Sequence, residues 1–268
     1  MVTASIVVHN SPPEEVSQAI ECIKRSDINK IWIVFNGDPR QSSEYENIED
    51  TEFILTENRG YGAAHNIAIK KALAEGSEFH LIMNSDISFN SDVISPLVRI
   101  AVNDAKIGII APHILNPDGS LQYSCRKLPT PFRLFARRFL PELFNRGLNN
   151  DYLLKELDHS FPINAPYILG CFMIFRTEAL REWGLFDERF FLYPEDIDIT
   201  RRIHRNWKTI CVPSFDVIHS HRRESRRSLR LLLIHIVNIC RYFNKWGWFY
   251  DKERSFFNRQ VIKNHKKL

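Results

Sequence analysis

Short runs of apolar, often β-branched residues recur through the first half of this chain: Ala4 to Val8, Ile31 to Phe35, Phe53 to Leu55, Phe79 to Met83 and Ile107 to Ala111. Between several of them, Glu14 to Arg25, Gly62 to Glu75 and Asp92 to Val102 carry apolar residues at helical spacing. Alternation of this kind predicts an α/β fold with a mainly parallel central sheet flanked by helices. Such sheets bind ligands beyond the carboxyl ends of their strands. The residues that follow the runs are polar there: His9-Asn10, Asn36-Gly37-Asp38, Asn58-Arg59-Gly60 and Asn84-Ser85-Asp86.

The alternation lapses over residues 116–164, where five prolines stand among basic and aromatic residues, and an irregular insertion is expected. Within it, Phe132, Phe135, Phe139 and Leu143 share one face of a helix expected over Phe132 to Phe144, with Arg133, Arg137 and Arg138 available to the other. Core packing is the expected fate of this stripe, and a surface-seeking helix is the alternative. Order resumes with a strand over Ile168 to Phe175 and a short helix over Thr177 to Trp183, for which Thr177 serves as cap. A helix over Glu195 to Asn206 and short strands at Thr209 to Val212 and Asp216 to His219 complete the pattern.

A chain of 268 residues that is 44% apolar can bury a full core as one large domain. Its five cysteines are scattered and odd in number, which argues against a disulfide framework or a zinc site and fits a reducing cytoplasm. Met1 to Val8 already alternates like a strand, so no signal peptide is expected. The net charge of +4 hides an asymmetry: from His219 onward thirteen Lys or Arg face three Asp or Glu, so the tail carries +10 and the rest −6. The tail is too short and too polar to span a bilayer, which takes roughly 20 apolar residues. It reads as a helix lying on the protein or on a membrane, and Trp246, Trp248, Phe249 and Tyr250 beside Lys245, Lys252 and Arg254 have the mix of an interfacial anchor. Nucleic-acid binding would rest on this basic tail alone, with no reading motif, and is not expected.

Four segments carry candidate chemistry. Glu195, Asp196 and Asp198 follow an aromatic run and open a helix, where acids either favour the dipole or supply a base for a bound hydroxyl. Asn84-Ser85-Asp86 ends a strand, and a carboxylate there can hold a cation that bridges phosphates. Asn58 to Asn66 leads from a strand into a helix, with Gly60 and Gly62 where backbone can approach a phosphate or sugar, yet without the spacing of a dinucleotide fingerprint or P-loop. His219-Ser220-His221 ends the last strand and offers an imidazole to a metal or diphosphate, and Arg222, Arg223, Arg226 and Arg227 follow as a phosphate clamp or a solvated basic surface.

In this order, Asn58-Arg59-Gly60-Tyr61-Gly62, Asn84-Ser85-Asp86, Gly170-Cys171-Phe172-Met173 and Gly184 to Asp198, followed by Arg202 and His219, resemble family 2 glycosyltransferases of the GT-A fold. The likeness is to rhamnosyltransferase-like enzymes of bacterial O-antigen and other surface-polysaccharide assembly. It implies a GT-A domain over residues 1–221, with 116–164 as an acceptor-side insertion and 222–268 as a basic, amphipathic helical extension. It implies inverting transfer from a nucleotide-diphosphate sugar, dTDP-rhamnose as first choice and a UDP-hexose or UDP-N-acetylhexosamine as alternatives. The acceptor would be an undecaprenyl-diphosphate-linked saccharide at the inner face of the cell membrane, which the tail would touch. A non-catalytic nucleotide-sugar-binding relative is the remaining reading.

By the same resemblance, His9, Asn10, Asn36 and Asp38 border the nucleotide, and Asn58, Arg59, Gly60, Gly62, Asn66 and Asn84 the nucleotide and sugar. Asp86 and His219 would hold Mg²⁺ or Mn²⁺. Asp196 would be the general base with Glu195 as its alternative, and Asp198 would orient Arg202 or cap the helix. Phe35 stands where the family usually has an Asp that contacts the base, Asn84 replaces the first acid of the Asp-X-Asp motif, Ser85 replaces a frequent Pro, and His9 occupies a position that is often Tyr.

Overall fold

The computed structural model describes residues 1–139, 142–220 and 229–265. Strands β1 (Val2–Val8), β2 (Lys30–Phe35), β3 (Glu52–Leu55) and β4 (Phe79–Met83) run parallel, and β10 (Phe172–Arg176) enters antiparallel between β4 and β6 (Ile107–Leu115). The sheet order is β3-β2-β1-β4-β10-β6-β11-β5, with β11 (Lys208–His219) parallel to β6 and antiparallel to β5 (Ile87–Ser88) and to β8 (Ile163–Asn164). Helices α1 (Pro13–Ile23) and α3 (Ile94–Asn103) cover one face, and α2 (Tyr61–Ala74), α6 (Thr177–Trp183) and α7 (Glu195–Ile203) the other.

Side-chain alternation explains the layering. Along β1, Ala4, Ile6 and Val8 point into the α1/α3 core. Thr3 and Ser5 point the other way, where the Ser5 hydroxyl meets His65 at 2.8 Å and His80 at 2.9 Å, and Thr3 meets His80 at 2.9 Å. Burial keeps both imidazoles neutral, pushing His80 down to about 3 and His65 well below its usual range with help from His80. Ala64, Ala68 and Ala72, four residues apart, let α2 lie close over Trp32 and Val34.

Several expectations change. The strand expected over Ile168 to Phe175 is two: β9 (Tyr167–Ile168) pairs with β7 (Cys125–Arg126) in a separate ribbon, and β10 joins the main sheet. The break falls at Gly170, where a Cβ would come within 3.0 Å of the Asp196 side chain. The two short strands after Asn206 form one irregular strand, β11. Thr177 does not cap; Arg176 holds that position, and the Thr177 hydroxyl donates to the Ser77 carbonyl at 2.6 Å instead.

The insertion is more regular than expected, with α4 (Pro131–Phe139) and α5 (Glu142–Tyr152) where one helix was expected. Phe132 and Phe135 are exposed at 60% and 54%, against the expectation of core packing, while Leu134 and Ala136 turn inward. The side chains of Arg138, Phe139 and Leu143 lie outside the described residues. All five cysteines are free thiols.

The tail forms α8 (Leu229–Trp246) and α9 (Lys252–His265), both seated on the domain. Tyr242, Phe243 and Phe257 share a core with Leu128, Tyr152, Tyr167, Phe190 and Ile197. Asn258 exchanges two hydrogen bonds with the Leu128 backbone. Arg201, 1% exposed, grips Asp251, 3% exposed, through paired bonds of 2.7 and 2.8 Å. No helix among the described residues is long and apolar enough to cross a membrane.

Candidate active site

The carboxyl ends of β1, β2 and β4 converge on one edge, as the polar strand ends predicted. His9 Nδ1 lies 3.1 Å from the Asn36 carbonyl and 3.4 Å from the Asn58 amide nitrogen. Asn36 is buried, and its Oδ1 has no hydrogen-bond partner among the described residues, an uncompensated acceptor, while Asn10 is exposed. Asp38 turns away to cap a 3₁₀ turn at Pro39–Glu44, and the Arg40 guanidinium holds its carboxyl down to about 2. Phe35 is fully buried against Tyr45 and Phe53, so its ring is core.

The segment after β3 is clamped rather than open. Gly60 has φ +104°, and a Cβ there would sit 2.1 Å from the Phe191 carbonyl oxygen, which accepts from Tyr61 N at 3.0 Å. Gly62 abuts Phe186. Asn66 is buried and spends its amide on the Phe186 backbone, accepting at 3.0 Å and donating at 2.9 Å. Arg59 is exposed, 3.7 Å from Glu188. These contacts tie the start of α2 to the loop that delivers α7.

Asn84 and Asp86 follow β4. Asn84 N donates to the Cys171 carbonyl, and the Tyr61 hydroxyl lies 2.9 Å from Asn84 Oδ1 and 2.7 Å from Gly170 O, sharing its one hydrogen between them. Asp86 Oδ1 lies 3.2 Å from His219 Nε2, and His219 Nδ1 lies 2.7 Å from Gln122 Oε1. His219 is pushed up to about 10: burial opposes the charge, but Cys171 and Asp86 outweigh it. Sequence reasoning missed Gln122, which stands in no pattern that marks contact with a distant histidine, and it placed Cys171 in a motif without joining it to His219. The expected His221 and Arg222 to Arg227 contributions lie outside the described residues.

The acidic cluster opens α7, and the fold separates its members. Asp196 accepts from Ile197 N at 2.8 Å, Gly170 N at 3.1 Å and the Tyr167 hydroxyl at 3.2 Å. Glu195, 4% exposed, has no partner for Oε2 among the described residues. Burial raises both carboxyls, and the neighbouring Asp196 drives Glu195 up further, well above the usual range. For Asp196 the three donors and Arg126 oppose the rise, so it ionises more readily than Glu195. Fully buried Asp198 takes Arg202 Nε at 2.9 Å, Trp246 Nε1 at 2.8 Å and Lys245 Nζ at 2.6 Å, binding α7 to α8. It orients Arg202, as expected, and anchors the tail as well.

A folded-state pKa raised above the unfolded 4.5 makes the Glu195 contribution to stability greatest below pH 4.5 and progressively lost as pH rises towards the folded value. Glu195→Gln is therefore expected to flatten the decline of Tm between pH 4.5 and 7.5. A wild-type and variant decline of equal slope would contradict it.

Comparison with known proteins bears on the family and the fold. A family model described as Glycosyl transferase family 2 matches residues 3–184. The N-acetylglucosaminyl-diphospho-decaprenol L-rhamnosyltransferase of Mycobacterium tuberculosis is 29% identical over 175 residues, 60% of this chain and 56% of that protein. Rhamnosyltransferase WbbL of Escherichia coli K12 is 26% identical over 62% of this chain and 63% of its own length. The chain thus spans little more than half the length of these curated relatives. Among solved structures, GalNAc-T7 with UDP, GalNAc and Mn²⁺ superposes with a TM-score of 0.60 at 16% identity, over 83% of this chain and 43% of that one. The mannosyltransferase PcManGT of Pyrobaculum calidifontis, in complex with GDP-Man and Mn²⁺, superposes with a TM-score of 0.56 at 18% identity, over 90% and 64%. The fold is GT-A, a mixed sheet flanked by helices with a helical C-terminal region.

Proposed function

The chain belongs to glycosyl transferase family 2, and we propose that it moves a sugar, L-rhamnose as first choice, from a nucleoside-diphosphate donor to a hydroxyl of a saccharide carried on a lipid diphosphate. The observation that carries this reading is the connected set Asp86–His219, Asn84–Tyr61–Gly170 and Gly170–Asp196, which joins a phosphate-side pair to an ordered carboxylate. The names of the rhamnosyltransferase relatives favour the donor sugar and the diphosphate-linked acceptor.

Asp196 takes the proton from the acceptor hydroxyl as it attacks, and its three donors keep the carboxylate aimed. Glu195 is the alternative base. His9, Asn36 and Asn58 border the nucleotide, and Asn66 and Gly62 act by fixing the loop beside it. Asp86 and His219 fit a divalent cation, since a carboxylate oxygen and an imidazole nitrogen converge there and Mg²⁺ commonly uses only one or two protein carboxylates. No group of three or more His, Cys, Asp or Glu among the described residues is placed to hold a metal ion, so substrate oxygens would complete the shell. Mg²⁺ or Mn²⁺, when bound, supplies positive charge to the leaving diphosphate.

Exposed Leu229, Leu233, Ile236 and Val237 along α8, with Phe249 and Tyr250 beyond it, favour a peripheral position on the inner membrane face, where the lipid-linked acceptor lies. The test is release of nucleoside diphosphate from dTDP-, UDP- and GDP-sugars with Mg²⁺ or Mn²⁺ and lipid-diphosphate acceptors. Turnover is expected with one donor class and should vanish with chelator and in Asp86→Ala. Saturable donor binding without turnover on any acceptor would make the chain a binding relative instead.

A further inference from the structure

We propose that Arg126 and Arg137 form a subsite for the diphosphate of the acceptor, joined to Asp196 through Tyr167. The inference rests on the reading of the acceptor given above. In the β7–β9 ribbon Arg126 stands opposite Tyr167, and its guanidinium carbon is 5.6 Å from that ring's centre. The Tyr167 hydroxyl is the one that donates to Asp196. Arg126 is anchored through Nε to the Tyr123 carbonyl at 2.9 Å, and its side chain also engages Tyr152. From α4, Arg137 brings its guanidinium carbon within 5.1 Å of the Tyr152 ring centre and engages the same side chain. Asp196, Tyr167, Arg126, Tyr152 and Arg137 therefore form one continuous line of contacts.

The charges along this line do not balance. Arg133 and Lys127 share the carboxylate of Asp151. Neither Arg126 nor Arg137 makes an ion pair among the described residues, although they are near enough for Arg126 to disfavour the charge on Arg137. Arg126 also faces the Asp196 carboxylate, so the pair keeps one positive charge in excess, which an anion matches, and their planar forks suit phosphate oxygens. Packing of arginine stems on tyrosine rings is the competing account.

Position selects the source of that anion. The groups suited to the donor's diphosphate, Asp86 and His219, connect to Asp196 through Asn84, Tyr61 and Gly170, whereas the arginines connect to it through Tyr167. A base must touch the acceptor hydroxyl, so a cationic pair joined to that base through Tyr167 meets the acceptor. On α4 itself Phe132 and Phe135 are exposed, an apolar surface next to the cations, as a phosphate joined to a lipid chain requires.

The test uses the full chain and two synthetic acceptors: N-acetylglucosamine diphosphate bearing a short alkyl chain, and the alkyl glycoside of the same sugar without phosphate. Arg137→Gln, at an exposed position, is expected to raise KM for the diphosphate acceptor about tenfold or more. It should leave KM for the phosphate-free acceptor and for the donor within about twofold, and Arg137→Lys should recover part of the loss. Arg126→Gln should act in the same direction. Equal increases for both acceptors would assign the arginines to packing, an increase confined to the donor would give the anion to the nucleotide, and no change would remove the subsite. Calorimetric binding of the two alkyl compounds reads the subsite without turnover. A wild-type chain that binds the diphosphate compound through Arg137 but transfers no sugar would therefore overturn the glycosyltransferase reading and retain the anion subsite.

Discussion

Asp196→Asn is expected to lower kcat by about 10²- to 10⁴-fold, the usual contribution of a positioned general base, while donor affinity changes little. Asparagine keeps the size of the side chain but replaces one oxygen by a donor. Gly170 N and the Tyr167 hydroxyl both point donors at Oδ2, and Ile197 N points one at Oδ1, so every orientation of the amide sets donor against donor at least once. The variant therefore loses the base and loosens the segment that aims it, and a small fall in Tm should accompany the kinetic defect. Steady-state transfer assays with parallel donor-binding titrations decide the matter. If Asp196→Asn retains kcat while Glu195→Gln abolishes it, the base is Glu195 and the ordered carboxylate is structural.

The largest expected loss of stability comes from Asp251→Ala. Removing one partner of a buried pair leaves the other charge uncompensated, at a cost of about 3–5 kcal/mol. Glu253 still reaches Arg201 Nε at 2.7 Å, which points to the lower part of that range. With about 2–4 °C per kcal/mol for a chain of this size class, Tm should fall by roughly 6–16 °C. Scanning calorimetry of wild type, Asp251→Ala and the apolar double replacement Arg201→Met with Asp251→Leu checks it. The double variant should recover much of the loss, because a well-packed apolar pair escapes the desolvation of two ions. A fall below about 2 °C in the single variant would mean that α9 contributes little to holding the tail. The pair matters to function because Asp251 seats α9 while Asp198, three residues before Arg201, holds α8 through Lys245 and Trp246.

Much of this arrangement was legible beforehand. The strands before residue 116, the helices between them and the polar strand ends follow from period and turn chemistry, which act within a few residues. His9, Asn36 and Asn58 meet at one edge for that reason, and Asp86 meets His219 at the matching end of the sheet. What escaped reading has a common cause. Periodicity in α4 names two faces without saying which turns inward, and the arginine-rich face goes to Tyr152 while Phe132 and Phe135 stay outside. Thr177 has the composition of a cap, yet a carbonyl a hundred residues earlier takes its hydroxyl. Asp38 follows β2 at the polar strand ends where a ligand contact was expected, but local pairing with Arg40 turns it to its own 3₁₀ cap.

The sequence by itself determined the alternating α/β order, the acidic start of α7 and the set of polar residues available to a ligand, because each depends on near neighbours. Only the tertiary structure decided what three adjacent acids do. Gly170 and Tyr167, 26 and 29 residues from Asp196, supply the donors that order it, and Trp246, 48 residues from Asp198, joins a buried anchor. Glu195 is left with an unpartnered oxygen among the described residues. A carboxyl's tendency to ionise is set by water withdrawn and donors supplied across the fold, and neither is written in the residues beside it.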